Sequence, residues 1–221
     1  MSAAGSPFVK VCGVCDPGDA AYAVAAGATH VGVIRVPGSR RARPLAVARE
    51  VAAAAAGARR VGVYVDAPES TILREAESLG LDVIQLHGGE GPERVAALAE
   101  RGYEVWKVVK PARGSDLLVA AERFGSADLI LVEGHSEEGH GGVGARFPWD
   151  DVAEVLDALP PGTALGVGGG LTPENVVEAV RRFRPRLVDV SSGVELEVGR
   201  KDRALVRSFI AAARSRGGAG T

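Results

Sequence analysis

The chain has 221 residues, enough for one large domain or two small ones, and its 26 basic against 28 acidic residues leave a net charge of −2. That balance gives no electrostatic reason to expect nucleic acid, and apolar stretches such as Val51 to Ala58 fall well short of the ~20 residues that span a bilayer. Met1 to Pro7 lacks a basic region followed by an apolar core, so a cytoplasmic protein with no membrane partner is expected.

In chain order, eight apolar runs read as strands: Phe8 to Cys12, Thr29 to Ile34, Arg59 to Val65, Asp82 to Leu86, Glu104 to Val109, Asp128 to Val132, Thr163 to Val167 and Leu187 to Ser191. The segments between them carry apolar residues three and four apart, as in Val152, Val155, Leu156 and Leu159, each about the length of one crossover helix. Strands that are nearly all apolar belong to a parallel sheet covered on both faces. Eight such units, with no linker dividing them, predict a single (β/α)8 barrel over residues 1–221, its core at about 8–214 and a frayed tail from Ser215. An open doubly wound sheet shows the same alternation but places its glycine-rich turn after the first strand. Here that strand ends in Cys12-Gly13, and the glycine turns follow strands seven and eight, where barrels commonly hold phosphate.

Those two turns, Val167-Gly-Gly-Gly-Leu-Thr-Pro173 and Asp189-Val-Ser-Ser-Gly-Val-Glu195, point to a phosphosugar, because glycine lets backbone N–H groups approach an anion closely. The second closes on Gly199 and Lys201-Asp202, where the last helical pattern begins. Gly169, Gly170, Ser192 and Gly193 are the expected phosphate ligands.

In a barrel the strand C-termini converge on one mouth, so Cys12, Arg41, Asp66, His87, Lys107 and Glu133 are brought together as candidates. Cys12 and Cys15, three apart, also fit a redox pair or half of a zinc site; no further cysteine completes the latter. As a lone group Cys12 reads either as a small buried hydrophobe or as a working thiol, which would need a nearby cation such as Lys10 to ionise. Arg40, Arg41 and Arg43 crowd one loop and read equally as a solvated cluster. His135, Glu137, Glu138 and His140 suggest a metal cluster but lack ligand spacing, so no metal is expected.

Seven blocks in order carry a resemblance: Lys10-Val-Cys-Gly13, Gly27-Ala28, Val61-Gly-Val-Tyr-Val65, Asp82-Val-Ile-Gln-Leu-His-Gly88, Gly141-Gly-Val-Gly144 with Phe147 and Trp149, Gly169-Gly-Leu-Thr-Pro-Glu-Asn-Val176, and Asp189 to Glu195 with Lys201-Asp202. From residue 8 to about 212 the chain resembles the phosphoribosylanthranilate isomerase family. The resemblance implies an enzyme without cofactor or metal, a monomer or homodimer, acting on a small phosphosugar by an Amadori rearrangement. It gives the general base to Cys12 and the general acid to the carboxylate ending strand six. It also places Arg41 against an aryl carboxylate. Lys10, His87 and Asp189 are read from their positions at the mouth as substrate-binding candidates, His87 equally as a hydrogen-bonding brace of the mouth and Asp189 either orienting a sugar hydroxyl or bracing the turn.

At the acid position the family's aspartate is replaced by Glu133, whose extra methylene displaces the proton donor by roughly one ångström unless something compensates, a shift worth ~100-fold in rate. The neighbouring Val143 and Pro148 also depart from the family pattern. Two other outcomes are therefore set beside the isomerase: a relative acting on a different N-substituted phosphosugar or carrying the enolamine to another product, and a phosphosugar-binding protein without catalysis.

Overall fold

Each apolar run pairs with the next in parallel, and β1 (Phe8–Val11) closes the ring on β8 (Leu187–Val190), in a register from Phe8 opposite Leu187 to Val11 opposite Val190. The computed structural model describes residues 6–134 and 147–215. The intervening strands are β2 (His30–Ile34), β3 (Arg59–Tyr64), β4 (Val83–Leu86), β5 (Glu104–Val109), β6 (Leu129–Val132) and β7 (Leu165–Val167). The helices are α1 (Pro17–Ala25), α2 (Leu45–Ala54), α3 (Glu69–Leu79), α4 (Pro92–Glu100), α5 (Gly114–Arg123), α6 (Trp149–Glu154), α7 (Val176–Phe183) and α8 (Arg203–Arg214). The predicted loop residues His135, Glu137, Glu138, His140 and Gly141 to Gly144, and the tail from 216, lie outside the described residues. Among the described residues no helix is long and apolar enough to cross a membrane.

Side chains alternate across a strand, so one set on each strand faces the helices and the other the barrel lumen. Val9 and Val11, or Ile84 and Leu86, pack outward into the large core beneath the helices. Val61, Val83, Trp106, Val108, Leu129, Leu131 and Leu187 fill the lumen as a separate apolar cluster. Toward the strand C-termini the same lumen-facing rows turn polar, through Lys10, Gln85 and Asp189 and then Cys12, His87 and Glu133. That change of character marks the mouth.

Three departures from the predicted elements have local causes. The seventh strand starts at Leu165, because Thr163 is held in a turn by its N–H and hydroxyl, which both donate to the Pro160 carbonyl. The predicted helix over Val152 to Leu159 breaks after Glu154 into a 3-10 turn, Leu156–Ala158. The turn after β8 enters a 3-10 turn, Ser192–Val194, and a hairpin of β9 (Glu195–Glu197) and β10 (Arg200–Lys201) before α8, which Asp202 caps through Oδ1 at 2.7 and 3.0 Å from the Ala204 and Leu205 amides.

The closed end of the lumen carries a buried histidine. The His30 ring packs on Phe8 and Trp106, with centroids 5.6 and 5.2 Å away. Burial first, and the Arg59 charge second, push its pKa down to about 4; burial and Lys110 do the same to His87. Both are neutral when folded and bind a proton near pH 6.5 when unfolded, so their stabilisation is present above pH 6.5 and lost as pH falls toward 4. Urea unfolding should show about 2 kcal/mol less stability per histidine at pH 5 than at pH 7.5. His30→Gln should remove its half of that slope.

Candidate active site

Cys12 follows β1 directly, and its N–H donates to the Val190 carbonyl at 2.8 Å, which holds it beside the end of β8. A side-chain carbon on Gly32 of β2 would lie 2.9 Å from both the Cys12 sulfur and Lys10 Cε, so the bare glycine is what gives the two room. Lys10 is 0 % exposed and donates to Asp189 Oδ2 at 2.7 Å and to Gln85 Oε1 at 2.8 Å. Its ammonium reaches no solvent, so its influence on the mouth runs through Asp189, Gln85 and Cys12. Burial pushes the Cys12 thiol up; Lys10 pulls it back and Asp189 adds to the rise. Burial likewise raises the Asp189 carboxyl, opposed by Lys10. Asp189 is 5 % exposed, and its Oδ1 has no hydrogen-bond partner among the described residues.

Across the rim, Glu133 extends β6, its N–H donating to the Val109 carbonyl at 3.0 Å. Its Oε2 lies 3.3 Å from His87 Nε2. Gly168 and Gly169 flank its side chain. Burial raises the Glu133 carboxyl, with Lys10 and Lys110 opposing. A partly buried carboxyl pushed toward its protonated form is suited to donating a proton. Thiol and carboxyl therefore share the C-terminal face of one barrel.

The two glycine turns interlock. Gly169 and Gly170 have φ of 71 and 69°, backbone only glycine adopts without strain, and Asn175 braces the turn by accepting from Thr172 N at 2.8 Å and donating to the Gly170 carbonyl at 2.9 Å. A side-chain carbon at Gly193 would collide with the Leu171 carbonyl, so that turn packs directly on its neighbour. The N–H groups of Gly169, Gly170, Ser192 and Gly193 donate to no backbone carbonyl among the described residues. Gly193→Ala should open this cup, raising KM for a phosphorylated substrate at least about tenfold while the far-ultraviolet spectrum keeps its barrel signature.

Arg41 separates from its two neighbours. It is 6 % exposed, whereas Arg43 binds the Arg40 and Ala42 carbonyls beside it. The Arg41 guanidinium grips Glu195 through Nε at 2.9 Å and Nη2 at 2.6 Å, and Lys201 Nζ reaches the same carboxylate at 2.9 Å and the Ser191 carbonyl at 3.1 Å. The hairpin after β8 thus fixes an arginine from the loop after β2. Sequence reading gave Glu195 and Gln85 no task, one because a charge in a loop looks solvated and the other because it sits inside an apolar strand. Two candidates move away from the chemistry. Lys107 faces outward and pairs with Glu90 at 2.9 Å, while Asp66 accepts from the Gly89 amide at 2.8 Å; both brace the loops after β3 and β4. Cys15 Sγ donates to the Arg41 carbonyl at 3.2 Å and does not start α1, which Asp16 caps.

A closed (β/α)8 barrel with a thiol and a raised carboxyl on its rim, and glycine turns after β7 and β8, has the architecture of a barrel enzyme with its candidate groups at the C-terminal face. A family profile described as N-(5'phosphoribosyl)anthranilate (PRA) isomerase matches residues 9–212. The N-(5'-phosphoribosyl)anthranilate isomerase of Rubrobacter xylanophilus is 42% identical over 208 residues, covering 94% of this chain and 98% of that one. The phosphoribosyl anthranilate isomerase structure from Thermotoga maritima matches with TM-score 0.85 and 35% identity over 94% of this chain and 98% of that one. A structure of such an isomerase in complex with reduced 1-(o-carboxyphenylamino)-1-deoxyribulose 5-phosphate matches with TM-score 0.82 and 33% identity, over 94% of this chain and 98% of that one. The chain belongs to the N-(5'-phosphoribosyl)anthranilate isomerase family and is an isomerase of that kind.

Proposed function

We propose that the enzyme converts N-(5'-phosphoribosyl)anthranilate into 1-(2-carboxyphenylamino)-1-deoxyribulose 5-phosphate, with Glu133 as general acid and Cys12 as general base. The observation that carries this reading is the placement of a buried thiol and a raised carboxyl at the ends of β1 and β6, around one Lys10–Asp189 pair.

The phosphate lies on the amides of Gly169, Gly170, Ser192 and Gly193, and the aryl carboxylate meets Arg41, whose guanidinium is already held flat by Glu195. Glu133 gives its proton to the furanose ring oxygen as the bond from that oxygen to C1 breaks. The amine lone pair then closes a C1–nitrogen double bond. The Cys12 thiolate takes the proton from C2, and the electron pair it leaves forms the enolamine and neutralises the nitrogen. Tautomerisation of the enolamine, with a proton gained at C1 and lost from the C2 hydroxyl, gives the ketose. Asp189 Oδ1, buried and without a partner among the described residues, accepts from a sugar hydroxyl, and a neutral His87 faces the acid without competing for its proton. No step in this sequence calls on a cofactor or metal.

A direct fluorescence assay of purified protein on freshly made N-(5'-phosphoribosyl)anthranilate tests the reading. Turnover is expected; no turnover, with the reduced product analogue still bound, would overturn it. Glu133 in place of aspartate favours one second reading, a different N-substituted phosphosugar, which the same assay addresses with other aryl and alkyl amines in place of anthranilate.

A further inference from the structure

A row of side chains joins the two halves of the site, and hydrogen-bond chemistry fixes the direction of its links from Lys10 through Gln85 to His87. Lysine only donates. Lys10 Nζ lies 2.7 Å from Asp189 Oδ2 and 2.8 Å from the side chain of Gln85, so the Gln85 atom facing it is the amide oxygen, whichever way an isolated amide would be drawn. Gln85 is 1 % exposed and has no solvent with which to turn. Its amide nitrogen is then committed to the other side, 3.3 Å from His87 Nδ1. An amide NH2 only donates, so Nδ1 accepts, and the ring proton of a neutral His87 sits on Nε2. Nε2 in turn faces Glu133 Oε2 at 3.3 Å. A hydrogen on Nε2, 3.3 Å from Oε2, disfavours a second hydrogen on that oxygen, so a protonated Glu133 carries its own on Oε1. A side-chain carbon on Gly168 would stand 3.3 Å from Oε1, so the glycine keeps that oxygen clear.

We propose that Lys10, Gln85 and His87, with Asp189 anchoring the lysine by accepting from it, form a directional row of donors that sets the transferable proton of Glu133 on Oε1, with Gln85 as the positioning residue that fixes the His87 tautomer. The proposal rests on the reading of Glu133 as general acid and deepens it. It also gives the longer side chain a reason: the extra methylene carries the carboxyl out to a histidine that can orient it.

Nitrogen-15 imidazole spectra of the whole protein, with His87 identified by its loss in His87→Gln, read the tautomer without any turnover. The wild-type ring is expected to carry its proton on Nε2 with Nδ1 bare. Gln85→Glu is the informative variant, because a carboxylate accepts from Lys10 with one oxygen and from His87 with the other, so Nδ1 must become a donor. That variant should show a proton on Nδ1 and a kcat lowered about 100-fold with KM changed less than about threefold; Gln85→Met, which leaves the ring unset, should fall between it and wild type. A wild-type proton on Nδ1 overturns the proposal even if no variant folds. So does an unchanged kcat in a Gln85→Glu protein whose ring has gained the Nδ1 proton. Failure of the acid assignment shows separately, as full turnover by Glu133→Gln with the wild-type tautomer intact.

Discussion

Cys12→Ser is expected to lower kcat by about 10²–10⁴-fold, the range a positioned proton acceptor contributes. A serine hydroxyl fills nearly the same volume beside Gly32 and Lys10, so thermal unfolding should move little and the loss is chemical. The pH dependence of the wild-type enzyme follows from the same burial. Cys12 ionises above its ordinary range, because burial outweighs the pull of Lys10. Glu133 protonates above the ordinary carboxylate range for the same reason. The working form needs the thiol ionised and the carboxyl protonated, so activity is lost at low pH, where both groups hold their protons, and at high pH, where both have given them up. A kcat/KM profile should therefore show an acid limb above the usual carboxylate pKa and an alkaline limb above the usual thiol pKa. His87, held neutral down to about pH 4, contributes no limb between them. Retention of more than about a tenth of wild-type kcat by Cys12→Ser would remove the thiol from the mechanism.

The barrel was legible because each parallel strand, covered on both faces, leaves a nearly continuous apolar run, and because runs such as Leu129-Ile-Leu-Val132 end on residues that can only lie at the mouth. That logic found Cys12 and Glu133 at strand ends without any three-dimensional information. It misplaced Lys107, since a single residue of offset along β5 moves a side chain from the lumen to the outer face. It was silent on Gln85, whose two hydrogen-bond partners sit on a strand 75 residues earlier and just past the end of its own strand, two residues later. Arg41 and Glu195, 154 residues apart, meet only because the ring closes β8 onto β1. Local pattern gives which residues reach the rim. Which rim residues grip one another depends on closure, and a window of sequence carries no trace of that.

Glu133→Gln should lower kcat by about 10²–10⁴-fold with KM within a few-fold of wild type, since the amide keeps the length and shape of the side chain but has no acidic proton to give. The more discriminating change is Glu133→Asp. Judged by the family pattern alone, shortening the side chain returns the donor to its customary place and should speed the reaction. The structure argues the opposite sign. Oε2 stands 3.3 Å from His87 Nε2, and Gly168 and Gly169 leave the longer arm its channel. Withdrawing the carboxyl by one methylene breaks the contact with the histidine and sets the proton loose between two oxygens, so kcat should fall about 100-fold, the cost of a one-ångström misplacement. Steady-state kinetics on the two variants side by side decide between the two signs. If Glu133→Asp turns over faster than wild type, the rim has not adapted to glutamate, and the contact with His87 is incidental to the chemistry.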